Sequence, residues 1–385
     1  MGQAMRIAVL ATTIDYGGIE KVLLTLLQHM DRDVELVPVL FTRTGVEDGS
    51  FFKKLEALGI THRTIYVNVR RPKYLNPIRN IGEAIAALRG QGFDAIHSHG
   101  YRADVIALVA ARYLGLPVVS TCHGFILNDR NLSLYARLDV FLLRYFRRVI
   151  AVSTRMRDDL IAKGLKPDRV SVIQNAVEAP CESAVHAARG ALRAQLSIGS
   201  DEFVFGFVGR LSEEKGVQHL IDAVRAQAPA EGPWRLLIVG DGPRRQELED
   251  AVRAAGLAER VTFVGFQSET SPWYSSMDAF VLPSLTEGTP MALLEAMAHR
   301  VPVVASAVGG VPAVVSDRVN GLLVPAADLP ALGRALREIA GNESLRRTLA
   351  DAGRQTVRDG FDVRTWVGRV RGVYEQAILE HRHSA

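Results

Sequence analysis

A doubled series of short β-branched runs, each followed by a turn and then a helical pattern, constrains this chain more than any other feature. Strands of a parallel sheet covered on both faces read as continuous apolar runs rather than as alternation. In the first series "RIAVLATT" passes through Gly17 and Gly18 into "IEKVLLTLLQHM", and "VELVPVLF" follows. "DAIHSHG" then leads to "RADVIALVAARYLG" and "PVVSTCHG", "RVIAVS" precedes "TRMRDDLIAKG", and "VSVIQNAV" ends the series. "VEAPCESAVHAARG" carries no strand signal and reads as a linker. A second series runs through "FVFGFVGR", "WRLLIVGDG", "RVTFVGF", "AFVLPS", "PVVASAVGG" and "GLLVP", and the tail "FDVRTWVGRVRGVYEQAILEHRHSA" is helical by pattern. Such alternation predicts two doubly wound α/β domains, with a ligand cleft between them lined by the C-terminal ends of strands from both. A length of 385 residues agrees with two domains of ordinary size.

The charged and hydrophobic fractions, 23% and 48%, are those of a soluble globular protein. Two cysteines without ligand spacing, Cys122 and Cys181, suit a reducing compartment. The apolar start has no small-residue cleavage site, and Arg6 stands where a myristoylation signal needs Ser or Thr. The longest apolar region is broken by Arg112 and Pro117, so a soluble, cytoplasmic protein is expected. Residues 1–180 carry a net +7 and the remainder −3. The basic half suits an anionic partner, a membrane surface or a phosphorylated substrate, or simply ordinary solvated faces. No nucleic-acid partner is expected.

Chemistry in this architecture sits on the loops after the strands. Gly17 and Gly18 open a helix and allow close approach of a ligand. In "GRLSEEKG", Arg210 and Lys215 flank a strand-to-helix loop and could hold two phosphates of a diphosphate; alternatively they pair with Glu213 and Glu214. Asp241-Gly242-Pro243 is a tight turn, but Arg245 occupies the place of a third glycine, which disfavours dinucleotide binding. In "LTEGTPMALLEAMA", Thr289 is expected as an N-cap with Pro290 at the first helical position. The N–H groups around Gly288 to Ala292 then form an anion site with Glu287 at its lip. Glu295 lies inside the apolar helix, where an acid needs hydroxyls or a cation. A diphosphate at the helix end, a ribose diol at Glu295 and a sugar at Glu287 describe one molecule, a nucleotide diphospho-sugar.

"EGTPMALLE" resembles the paired-glutamate signature of retaining glycosyltransferases of the GT-B fold, family 4 in particular. "GGIEKVLLTLL", "DAIHSHGYRADVIALVAARYLGLPVVSTCHG", "VIAVS", "VIQNAV", "GRLSEEKG", "IVGDGP", "VTFVGF", "DAFVLPS", "ASAVGGVPAVV" and "NGLLVP" fall in that family's order, so the resemblance covers nearly the whole chain. It implies two Rossmann-like domains facing each other across a cleft: an acceptor domain over 1–178, a nucleotide-sugar domain over 179–365, and a last helix, 366–385, that crosses back to the first. It implies that Arg210 and Lys215 hold the donor diphosphate, Glu295 takes the ribose hydroxyls, and Glu287 with the backbone of Gly288 and Thr289 holds the sugar. His123, in "TCHG", would lie near the reacting bond, and Phe266 near the base. Gly17, Gly18, Gly240, Pro290 and Met291 would line the donor site. Thr289 stands where many relatives carry Phe or Leu, which leaves the sugar open.

His97 and His99 are expected to point in opposite directions, so that only His99 faces the cleft, toward the acceptor. Asp31 and Asp33, in "DRD", read as a solvated turn rather than a metal site, and no other cluster has metal-ligand spacing. The resemblance therefore implies metal-independent, front-face transfer from an NDP-sugar, UDP-sugar above others, to a glycan or lipid-linked acceptor. No cofactor is expected beyond that co-substrate. "FLLRYFRRVIAV" and "VRRPKYLNPIRN" suit either contact with an anionic membrane or core helix faces with solvated arginines. The rival readings are a nucleotide-sugar epimerase of the same fold and a non-catalytic nucleotide-sugar-binding protein.

Overall fold

A computed structural model describes residues 4–12, 18–42, 49–66, 77–123, 140–227 and 232–384. Two compact units divide the chain, one made of Met1–Asn175 with Val363–Ala385 and the other of Ala176–Asp362.

The first unit holds a seven-stranded parallel sheet. Its strands are β1 (Met5–Thr12), β2 (Val34–Thr42), β3 (Arg63–Tyr66), β4 (Ala95–His99), β5 (Val118–Cys122), β6 (Arg148–Ala151) and β7 (Val170–Val172), in the order β3-β2-β1-β4-β5-β6-β7. Every residue of β4 and β5 is buried, the polar His97, Ser98, His99, Ser120 and Thr121 included. The order reverses direction between β1 and β4, the kind of point at which open α/β sheets bind ligands at the C-terminal ends of their strands.

The C-terminal helix Val363–Arg382 belongs to this unit. Val363, Trp366, Val367, Val370, Val373, Tyr374 and Ala377 form its buried stripe at helical spacing. On its outer face Arg371 reaches Asp31 at 3.0 Å and Asp33 at 2.7 Å. Asp31 and Asp33 are exposed in a turn, as expected, and also pair with the returning helix. Hydrogen bonds to Glu375 and Asp31 raise the Arg371 pKa further above its ordinary value.

The second unit holds a six-stranded parallel sheet. It comprises β8 (Phe203–Val208), β9 (Trp234–Val239), β10 (Val261–Gly265), β11 (Ala279–Leu282), β12 (Val303–Ser306) and β13 (Leu322–Val324), in the order β10-β9-β8-β11-β12-β13. Its reversal falls between β8 and β11. Where breaks are expected after 178 and after 365, the division falls after Asn175 and after Asp362. The Val177 N–H donates to Phe361 O at 3.1 Å, so the entering and leaving segments are tied to each other within the second unit.

The expected linker is largely helical. Glu182–Gln195, rich in Ala and Arg, folds as a helix. Arg189 and Arg193 from its inner face converge on Asp278, just before β11.

Candidate functional site

In the second unit the adjacency of β8 and β11 brings together two loops far apart in sequence. After β8 the chain makes a short turn, Glu213–Lys215, closed by Gly216 in the left-handed region at φ +62°. The Leu285 N–H, in the loop after β11, donates to Glu214 O at 2.8 Å. With the loops joined, Lys215 Nζ stands 2.7 Å from Glu287 Oε1, and Ser284 Oγ donates to the same oxygen at 2.6 Å. The Glu287 side chain is only 5% exposed, and a carboxylate this buried needs such partners to remain charged. Lys215, expected on a diphosphate or against its neighbours Glu213 and Glu214, is therefore ion-paired with the glutamate expected on the sugar.

Glu214 instead accepts from Ser212 Oγ at 2.6 Å. Burial opposes its charge, but Ser212, a backbone N–H, Lys215 and Arg210 together hold the carboxyl below its ordinary range. Arg210 is exposed and makes no ion pair among the described residues. One cation of the loop is fixed by an acid, while the other is presented to solvent.

The wall behind this loop is backbone. After β12, Gly309 (φ +54°) and Gly310 lie against Glu287 and Gly288: a Cβ on Gly309 would fall 1.8 Å from Glu287 O, and one on Gly310 2.1 Å from Gly288 O. Neither glycine is among the expected site residues, although the pair stands in "ASAVGG"; their role depends on which strand lies beside β11. Gly240 acts similarly, since a Cβ there would fall 1.9 Å from Gly209 O, next to Arg210. Phe266 is 49% exposed just past β10.

The helix after Glu287 spans Met291–Ala298, and its N-cap is Pro290, not Thr289. The Pro290 carbonyl accepts from Leu293 and Leu294, which makes it the first acceptor of the helix, and no side chain caps it. Gly288 is exposed, and Thr289 and Met291 are half-buried. Glu295 is half-buried one turn in and accepts from Thr270 Oγ1 at 3.3 Å. Burial, then the charge of Glu295, pushes the Tyr274 phenol well above its ordinary pKa.

In the first unit, His97 and His99 lie on the same face of β4, their ring centroids 4.3 Å apart. This corrects the expectation of opposite directions: residues two apart on a strand share a face. His99 Nδ1 is 3.0 Å from His123 Nε2, and the two rings stack. Burial lowers all three pKa values, with nearby imidazoles adding to the effect on His97 and His99: His97 falls to about 3, His123 to about 4, and His99 well below its ordinary value. All three rings are therefore neutral near pH 7. Gly18 begins the helix Gly18–His29 with open space where a side chain would be, whereas Gly17 lies outside the described residues.

His97 and His99 are 1% and 3% exposed, so acid should act on the fold through them. Below about pH 6.5 the unfolded chain takes up protons that the buried rings refuse, so stability falls as pH falls, by up to ~1.4 kcal/mol per unit per ring. Denaturant melts from pH 7 to 5 should show this slope, lessened in His99→Gln. An unchanged slope in that variant would refute the assignment.

Two Rossmann-like units, each reversing strand order within its parallel sheet, define the doubly wound α/β class. Residues 16–179 match Glycosyltransferase Family 4, and residues 202–342 match Glycosyl transferases group 1. The 2-deoxystreptamine N-acetyl-D-glucosaminyltransferase of Streptomyces fradiae is 32% identical over 72% of this chain and 72% of its own. The UDP-Gal:alpha-D-GlcNAc-diphosphoundecaprenol alpha-1,3-galactosyltransferase of Escherichia coli is 26% identical over 76% of this chain and 78% of its own. Among solved structures, HepE of Anabaena in complex with UDP and glucose superposes with a TM-score of 0.82 at 24% identity, covering 96% of this chain and 99% of that one. The chain belongs to the family 4, group 1 glycosyltransferases and is a hexosyltransferase.

Proposed function

We propose that the protein transfers a sugar from a UDP-sugar to an acceptor hydroxyl with retention of configuration and without a metal. The Lys215–Glu287 pair beside the open Arg210 carries this reading. Arg210 and Lys215 take the charge of the leaving diphosphate, and Glu295 takes the ribose diol. Glu287 with the backbone of Gly288 and Thr289 holds the sugar, His123 stands by the reacting bond, and His99 serves the acceptor. Glu287 Oε1 is already engaged by Lys215 and Ser284, which makes this carboxylate a poor covalent nucleophile and favours front-face displacement. In that step the sugar–phosphate C–O bond breaks, the acceptor oxygen bonds to the same face, and its proton passes to the leaving phosphate. The UDP held by the structural neighbour and the UDP-Gal in the relative's name support uracil as the base.

Among the described residues no three His, Cys, Asp or Glu side chains are grouped as metal ligands. UDP release from a panel of UDP-sugars should persist in EDTA. Loss restored by manganese or magnesium would overturn metal independence, and epimer formation without release would favour the epimerase.

A lipid-linked or glycoconjugate acceptor suits the first unit. No helix among the described residues is long and apolar enough to cross a membrane. Tyr113, Tyr145 and Phe141 are nonetheless 59%, 50% and 47% exposed. Arg89, Arg112 and Arg144 lie over the rings of Tyr113, Tyr145 and Phe141 at 5.3, 5.1 and 5.7 Å. Exposed rings beside guanidinium groups fit an anionic lipid interface. The protein should sediment with phosphatidylglycerol vesicles but not phosphatidylcholine ones, and Phe141→Ser with Tyr145→Ser should release it. Equal recovery from both lipids would argue against the contact.

A further inference from the structure

Tyr374, on the C-terminal helix, is fully buried and sends its hydroxyl to His97 Nδ1 at 2.8 Å, across 277 positions of sequence. His97 Nε2 is in turn 2.8 Å from Thr121 Oγ1 on β5. Both nitrogens of this imidazole are thus pinned from opposite sides, so the ring cannot turn without losing a hydrogen bond in a buried place where neither group finds water. Both partners are hydroxyls, able to donate or accept, and they satisfy neutral His97 in either tautomer. Burial holds the Tyr374 phenol far above its ordinary pKa, so it stays a hydroxyl at any working pH.

His99 rests on that fixed ring. Among the described residues its Nε2 is buried with no hydrogen-bond partner, so its only bond is the 3.0 Å contact of Nδ1 with His123 Nε2. What orients His99 is therefore its tilted ring contact with His97, centroids 4.3 Å apart, together with its bond to and stack on His123. Between two neutral imidazoles one nitrogen donates and the other accepts. If His99 donates, His123 carries its own proton on Nδ1; if His99 accepts, His123 Nδ1 is bare. The state of His99 decides whether His123 offers a donor or an acceptor on its other side.

We propose that Tyr374 and His97 are positioning residues for His123: the returning helix pins His97, His97 seats His99, and His99 fixes both the ring and the tautomer of His123. This rests on the reading of His123 as the group beside the transferred sugar. It gives the C-terminal helix a part in the site beyond covering the sheet. Two buried imidazoles and a buried phenol, with half-buried His123 beside them, form a polar network of the kind that rigidifies one arrangement of its members.

Tyr374→Phe in the full chain, which removes one oxygen and leaves the ring, tests the proposal. With 15N-labelled histidine the parent should show one tautomer each for His99 and His123, and the variant a mixture. Turnover of UDP-sugar should fall roughly ten-fold or more, with KM for the donor changed by less than about two-fold, as expected for a misplaced group rather than a lost binding contact. Thr121→Val removes the other pin of His97 and should give the same pattern, which covers the case in which Tyr374→Phe does not fold. Glu375→Gln, on the outer face of the same helix, should change neither readout. Unmoved histidine signals with parental turnover would overturn the proposal, as would lower melting temperatures with tautomers and turnover intact. If no UDP-sugar is turned over by the parent, the functional reading fails, and the tautomer signals still decide the coupling.

Discussion

Glu287→Ala should reduce turnover by about 10²–10³-fold, the loss typical of removing a group that organises charge at a reacting centre. The carboxylate is almost wholly buried, holds Lys215 at 2.7 Å and accepts from Ser284, so the substitution removes the anchor of a cation as well as a contact to the sugar. Freed Lys215 can still reach a diphosphate, and UDP affinity should stay close to that of the parent. Glu295→Ala should behave oppositely, since it removes a partner of the ribose diol, and UDP binding should weaken by about 1.5–3 kcal/mol. Lys215→Ala leaves Glu287 charged, buried and without its cation. Breaking such a pair typically costs ~3–5 kcal/mol when fully buried; Lys215 is 25% exposed, so a smaller loss of stability is expected. The double variant should resemble the worse single one, because the two side chains act as one unit. Calorimetry with UDP, turnover and denaturant melts on the four proteins separate these effects. Parental turnover in Glu287→Ala would end the paired-glutamate reading.

The sequence showed each strand of both sheets except β3, and the reason is burial. Most strands covered on both faces carry β-branched or apolar runs, whereas β3 is a four-residue edge strand in which only Ile65 is buried, so "RTIY" carries no pattern. The helix over Glu182–Gln195 has few buried residues, Leu192 and Arg193, so no apolar stripe marks it in the sequence. Asp31 and Asp33 are solvated as the turn predicts, but their pairing with Arg371 is not legible in the sequence because it spans 338 or more positions. The same limit applied at the site. Composition and local turns pointed to Arg210, Lys215, Glu287 and Glu295 one at a time. That Lys215 meets Glu287 depends on β8 lying beside β11, a fact of sheet order that no local pattern encodes. The histidines differ: His97 and His99 are two apart on a strand, and the strand period places both on one face.

Gly309→Ala should be nearly as damaging as loss of Glu287, although position 309 carries no functional group. The residue sits at φ +54°, which alone costs a non-glycine residue about 1 kcal/mol. Its new Cβ would also lie 1.8 Å from Glu287 O and 2.7 Å from Glu287 C, distances at which something must move. The obstacle is backbone, so no rotamer change relieves it. Either the β12 loop retreats or the Glu287–Gly288 segment shifts, and with it the carboxylate that holds Lys215. A displacement of about 1 Å at a positioning group can cost on the order of 10²-fold in rate. The strain falls in loops at the end of the sheet rather than in its core, so melting should drop by only a few degrees, as ~1 kcal/mol does in a unit of this size. Gly341→Ala is the matching control: that glycine ends the helix Leu329–Gly341, and an added Cβ meets nothing within 4 Å. Turnover, UDP affinity and melting temperature should leave Gly341→Ala at the parental values and separate Gly309→Ala by its rate. Should Gly309→Ala instead turn over sugar as the parent does, the loop that carries Glu287 tolerates movement, and its placement against the glycine pair is not what makes the site work.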